Sequence, residues 1–194
     1  MNFTSKHLEE AAGILQGLDT AKIESMIATL NEIKHNRGRL FVLGVGGSAA
    51  NASHAVNDFR KLAGIESYAP TDNVAEFSAR ANDEGWETVF EGYLRVSALD
   101  NKDCILILSV GGGDVTKKVS VNLCKAIDYA KSVDATILGI VGRSNGYTDQ
   151  HADICLVIPT INSESITPHS ESFQSVVWHL MVSHPSLKEN STKW

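Results

Sequence analysis

The chain has 194 residues, 43% hydrophobic and 21% charged, the balance of a globular protein and not of a disordered one. With 23 acidic and 17 basic side chains the formal charge is -6, which argues against nonspecific nucleic-acid binding, because that needs a basic surface. No apolar run approaches the length of a membrane span and residues Met1 to His7 carry no apolar leader, so a cytoplasmic protein without membrane contact is expected.

In chain order, Lys6 to Lys34 reads as helix, with Ile23, Met26, Ile27, Leu30 and Ile33 forming one apolar stripe. This prelude either covers a sheet or packs against another subunit. Strands and helices then alternate. Arg39 to Leu43 reads as strand, Ala49 to Leu62 as helix, and Ser67 to Ala69 as a short strand before Pro70. A helix over Glu84 to Leu99 leads to a strand at Cys104 to Ser109. A helix over Val115 to Ser132 leads to strands at Thr136 to Val141 and Ile154 to Ile158. The closing helix spans about Pro168 to Ser183. Apolar strands without alternation imply burial on both faces, hence a parallel sheet covered by helices. Cys104 and Cys155 lie inside such runs and no CxxC pair exists, so Cys104, Cys124 and Cys155 read as buried free thiols.

Two glycine-rich loops follow strands, Gly44-Val45-Gly46-Gly47-Ser48 and Ser109-Val110-Gly111-Gly112-Gly113-Asp114. One such loop serves equally well as a tight connection. Two of them at the carboxyl edge of a parallel sheet favour a phosphate cradle, since glycine admits close backbone approach and a helix N-terminus offers N–H groups. His54 and Asp58 are four apart and share a helix face, as a divalent-metal or proton-transfer pair or as a surface hydrogen bond. Phe173, Val176, Val177, Leu180 and Met181 form a core stripe on the closing helix, with Trp178 and His184 structural or interfacial.

Several segments together resemble the phosphoheptose isomerase family of sugar isomerase (SIS) domains. They are Gly44 to Ala50 with His54, Ala81-Asn82-Asp83-Glu84-Gly85-Trp86, Gly142 to Gly146 followed by Ala152-Asp153-Ile154, and the helix around Glu171 and His179. The resemblance implies one SIS domain over 1–194, with 1–36 as an N-terminal helical extension. It further implies a three-layer αβα fold with a five-stranded parallel sheet in flavodoxin-like order. A homotetramer with sites near subunit interfaces is implied too. The implied reaction is an aldose–ketose isomerisation of D-sedoheptulose 7-phosphate to D-glycero-D-manno-heptose 7-phosphate, for heptose and lipopolysaccharide synthesis. The implied metal positions are His54, Asp58, Glu171 and His179, for zinc or another divalent ion. Asp58 inherits the base role and His179 the acid role. Substrate contacts fall on Gly46, Gly47, Ser48, Asn82, Asp83, Ser109, Gly111, Gly112, Asp114 and Glu171.

The chain departs from the family pattern in three places. The loop at 109–114 lacks most of the family's hydroxyls and ends in Asp114, which would repel a phosphate if it pointed inward. Val45 replaces an Asn. Asp58 and Glu171 stand where the family has Glu and Gln, so Glu171 is expected to share the base role with the shorter Asp58. Eight residues of helix separate Glu171 from His179 by roughly 12 Å. Joint ligation therefore requires stretched side chains or two subunits, or His169 as a substitute ligand. Without a metal, His54–Asp58 and Glu171–His179 would be polar pairs that handle protons. The alternative functions are a non-catalytic adapter for a replication initiator, a phosphosugar sensor, and an isomerase of a different phosphosugar.

Overall fold

Five parallel strands lie side by side in the computed structural model, which describes residues 2–192: β1 (Leu40–Gly44), β2 (Ser67–Tyr68), β3 (Cys104–Ser109), β4 (Thr136–Val141) and β5 (Ile154–Val157). Met1, Lys193 and Trp194 lie outside the described residues. The order is β2-β1-β3-β4-β5, as the resemblance implies. Register runs Leu40↔Cys104 and Cys104↔Thr136, so β1, β3 and β4 end near one another at the carboxyl edge.

The pleat sends neighbouring side chains to opposite faces. Leu40, Val42, Leu106, Leu138 and Ile140 enter one core, with helices α1 (Phe3–Gly17), α2 (Thr20–His35), α3 (Gly47–Lys61) and α8 (Ile166–Ser183) packed over it. Phe41, Leu43, Ile105, Ile107 and Ile137 enter the other core, under α5 (Val89–Val96) and α6 (Val121–Ser132). Burial on both faces explains the absence of alternation along the strands. The α2 stripe of Ile23, Met26, Ile27, Leu30 and Ile33 is buried as expected, each side chain contributing about 1.5–3 kcal/mol relative to exposure. All three cysteines are free and buried, and burial pushes the Cys124 thiol up to about 11. No helix among the described residues is long and apolar enough to cross a membrane.

Four segments differ from the sequence reading. The prelude is two helices, because Leu18 is extended and the Asp19 carboxylate caps α2 by accepting from Lys22 N–H at 3.0 Å. An additional helix, α4 (Val74–Asp83), precedes Gly85, and the expected helix at 84–99 shrinks to a 3-10 turn at Trp86–Thr88 plus α5. Residues 115–120 are a tight turn instead of the first turns of α6. Asp114 Oδ1 accepts from Lys117 N–H at 2.9 Å, and Asp114 pairs with Val119 as an isolated bridge. A short helix, α7 (Tyr147–His151), fills the passage between β4 and β5.

Candidate active site

β1 ends at Gly44, and the chain enters α3 through Val45 and Gly46. Gly46 has φ +64°, which a side chain would strain. No side chain caps the N-terminus of α3. Its first N–H groups are therefore unmet by the helix and suited to an anion. The second loop sits opposite. Ser109 Oγ accepts from Gly112 N–H at 3.0 Å, and the Gly112 carbonyl accepts from Thr148 N–H at 2.8 Å and Oγ1 at 2.7 Å. These bonds pin the loop to α7. Among the described residues the N–H groups of Gly111 and Gly113 have no protein acceptor.

Between the loops lies a cavity of about 630 Å³. Of the predicted substrate contacts, Ser48, Ser109, Gly111 and Asp114 line it; Gly46, Gly47 and Gly112 belong to the same two loops but do not line it. Val45, Val110 and Val119 give it an apolar side. Asp114 does not stand alone at the rim. Lys117 holds its carboxyl below the ordinary value, first through the backbone N–H and then through the ammonium, whose Nζ is 3.3 Å from Oδ2. Lys117 and Arg143 also line the cavity, and sequence reasoning missed both as binding residues. Arg143 carries no periodicity. Its signals are its place in a loop that follows β4 at the same sheet edge and in the Gly142–Gly146 segment that carries the resemblance, neither of which marks it as a binding residue.

A seam between α3 and α8 leads away from this cavity. Asn51 on α3 donates to the Glu171 carbonyl at 2.8 Å and to Gln174 Oε1 at 3.0 Å, so the two helices run side by side. The Glu171 carboxylate rests on Gly47: a Cβ there would fall 2.6 Å from Glu171 Cδ. Further along, Asp58 Oδ2 lies 3.8 Å from His54 Nε2 and 3.7 Å from His179 Nε2. These gaps are too long for hydrogen bonds. They are near the separation of about 3.3 Å between ligand atoms around one tetrahedral zinc. His179 Nδ1 is 2.7 Å from the Ser175 carbonyl. A carbonyl only accepts, so Nδ1 carries the proton and Nε2 presents its lone pair toward Asp58. The Trp178 ring stacks on His179 at 3.5 Å and meets His54 edge-on at 4.6 Å, forming a floor. Asp58 is buried, while the His54 and His179 side chains are 57% and 46% exposed.

The structure thus gathers His54, Asp58 and His179, whose ligand atoms lie within 4.8 Å of one another, and leaves Glu171 outside the group. Glu171 stands two turns of α8 away, at the cavity end. His169 is no substitute, because its Nε2 is 3.0 Å from Glu10 Oε2 and its ring stacks on His7. Asn82 and Asp83 lie exposed at the end of α4, where Asn82 Nδ2 donates to Asp83 Oδ1, and neither lines the cavity.

No protein-family model matches the chain. Phosphoheptose isomerase 1 of Campylobacter jejuni is 31% identical over 176 residues, covering 86% of this chain and 89% of that one. The phosphoheptose isomerase of Helicobacter pylori is 28% identical over 180 residues, covering 90% and 88%. Among solved structures, phosphoheptose isomerase GmhA from Neisseria gonorrhoeae superposes with a TM-score of 0.80 at 21% identity, covering 92% of this chain and 94% of that one. Sequence relatives at this level and coverage, on the same fold, settle the kinship: the chain belongs to the phosphoheptose isomerase family.

Proposed function

We propose that this protein is an aldose–ketose isomerase that converts D-sedoheptulose 7-phosphate to D-glycero-D-manno-heptose 7-phosphate through an enediol. The observation that carries the reading is the placement of the His54–Asp58–His179 group along the seam from an anion-ready cavity. Seven residues of α3 separate Gly47 from His54, about 10 Å along the axis. An open seven-carbon chain reaches a distance of that order from its terminal phosphate to its carbonyl. Phosphate held between Ser48 and the 109–114 loop would put the reacting carbons at the group.

Isomerisation moves a proton between adjacent carbons while the oxygens exchange protons. Asp58 is the base that takes the carbon-bound proton. His179, with Nδ1 fixed on the Ser175 carbonyl, has Nε2 available to pass a proton to and from oxygen. His54 completes the group. Glu171, at the cavity end of the seam, is read as a substrate contact that shares the base work; full turnover in Glu171→Gln would remove that share. The donor set of two imidazoles and a carboxylate suits zinc or a similar divalent ion, held by His54, Asp58 and His179 and not by Glu171. Such an ion, when bound, supplies positive charge to polarise the substrate oxygens. Stoichiometric zinc in protein purified without chelator is the expected result, and metal-free, fully active protein would remove the ion.

The exposure of His54 and His179 supports a homotetramer, since proton transfer gains from exclusion of water. Phe3, Leu8 and Leu15 on α1 are exposed apolar side chains suited to contact between copies. So are Val176 and Leu180 on α8, which were expected in the core stripe with Phe173, Val177 and Met181 but turn outward from it. Asn82 and Asp83 would then reach substrate from an interface. Residues 1–194 are read as one SIS domain with 1–36 as its extension, working in the cytoplasm on heptose for lipopolysaccharide, without nucleic acid or membrane. Incubation with a panel of ketose and aldose phosphates, followed by product analysis, tests the activity. Interconversion of the seven-carbon pair is expected; no product from any member of the panel would defeat the reading.

A further inference from the structure

The charges lining the cavity do not cancel. Three charged side chains reach it: Asp114, Lys117 and Arg143. Lys117 and Asp114 are joined through both the backbone N–H at 2.9 Å and the ammonium at 3.3 Å, so together they contribute no net charge. Arg143 is left over. The chain has six arginines. Arg39 bonds to Asp103, Arg60 to the Ser67 carbonyl, Arg80 to Glu76 and Glu84, and Arg95 to Glu91. Arg37 lies in the turn before β1, at the opposite edge of the sheet. Arg143 alone combines a place in the cavity with the lack of any acidic partner among the described residues.

The second loop itself supplies few hydroxyls, because Val110 and three glycines fill it between Ser109 and Asp114. The other polar groups at the cavity are neutral: Ser48, Ser109, Ser120, Ser144 and Asn145, the uncapped start of α3, and the N–H groups of Gly111 and Gly113. Such groups orient an anion but carry only partial charges. A phosphate monoester at neutral pH is close to a dianion and is held more tightly with a full positive charge beside it. The guanidinium supplies that charge and a planar fork that can donate two parallel hydrogen bonds to phosphate oxygens.

We propose that Arg143 is the specificity-determining anchor of this cavity. It pairs with the substrate's phosphate and replaces, by charge, the hydroxyls that the 109–114 loop lacks. The inference rests on the reading of the cavity as the phosphate end of the site. The ligand class it selects is a sugar phosphate monoester; the corresponding free sugar is not retained.

The test is calorimetric titration of the full chain with inorganic phosphate, for wild type, Arg143→Gln, Arg143→Lys and Arg37→Gln, with kcat and KM measured on the phosphosugar. Arg143→Gln should weaken phosphate binding by about 10- to 100-fold, the effect of losing a charged hydrogen-bond partner. It should raise KM to a similar extent and leave kcat little changed. Arg143→Lys should recover part of the affinity, since charge returns without the fork. Arg37→Gln should match wild type. Equal phosphate affinity in Arg143→Gln and wild type, or no phosphate binding by wild type, would overturn the proposal. Weakened binding in Arg143→Gln combined with no turnover by wild type would uphold the anchor and defeat the isomerase reading.

Discussion

The two ends of the α3–α8 seam are built from different materials. At the cavity end the working groups are largely backbone, set by Gly46 at φ +64° and by the free N–H groups of Gly111 and Gly113. At the far end they are side chains, two imidazoles and a carboxylate held at helical spacing over Trp178. The backbone part of such a site depends on conformation and tolerates exchange of neighbouring neutral side chains, with Arg143 as the one side chain proposed to anchor it. On the proposed reading, the 109–114 loop can therefore lack hydroxyls and still face the phosphate with its backbone N–H groups. A side-chain site has no such latitude, because each atom that moves a proton belongs to one residue.

That contrast is broken most easily at the side-chain end. Asp58→Asn should lower kcat by roughly 10²- to 10⁴-fold, the usual worth of a positioned acid or base. Its inhibition constant for inorganic phosphate should stay at the wild-type value. A parallel loss of phosphate affinity would mean that the two ends are one site. At the backbone end, Gly112→Val places a branched side chain where φ is +74°. A left-handed conformation costs about 1–2 kcal/mol for a residue with a Cβ, so phosphate affinity should fall about tenfold. Unchanged affinity would show that the loop can be rebuilt without cost.

Smaller effects sharpen the division. Asp114→Asn removes the carboxylate that Lys117 engages and frees an ammonium at the cavity rim. Phosphate should bind a few-fold tighter, and more so at low salt, as expected for exposed charges. The smallest effect concerns Glu10, which ties α1 to α8 next to the cavity end. Hydrogen bonds from His169 and Asn162 hold its carboxyl below the ordinary 4.5. A depressed carboxyl stabilises the fold above its unfolded-state value, and that stabilisation fades as pH falls through the folded value. Acid unfolding of Glu10→Gln should therefore be less steep below pH 4.5 than that of wild type, with kcat at neutral pH unaltered. Identical acid profiles would contradict the tie.

Much of the fold is legible in the amino-acid sequence, and the rest is hidden for physical reasons. β3 and β4 begin and end where their apolar runs do, because a strand buried on both faces writes its limits in composition. α4 leaves no such mark: it buries no side chain, so no stripe reveals it. Val115 and Val119, four apart, mimic a helical stripe, yet both are half exposed and lie in a turn organised by the Asp114 carboxylate. The eight-residue gap between Glu171 and His179 implies that they cannot easily share an ion, and the structure sets them at opposite ends of the seam. His54 and Asp58 are visible as a pair; His179 as their third member is legible only through the family resemblance. Arg143 falls in the Gly142–Gly146 segment that carries the resemblance, yet its role stays hidden because a lone cation in a loop shows no pattern until the cavity beside it is seen.

The central claim is that one end of the seam binds and the other reacts. Steady-state kinetics of His179→Ala and Arg143→Gln on D-sedoheptulose 7-phosphate, measured side by side, test it most directly. The account predicts a large fall in kcat with nearly unchanged KM for His179→Ala, and a raised KM with nearly unchanged kcat for Arg143→Gln. Both variants changing the same parameter, or His179→Ala retaining wild-type turnover, would contradict it.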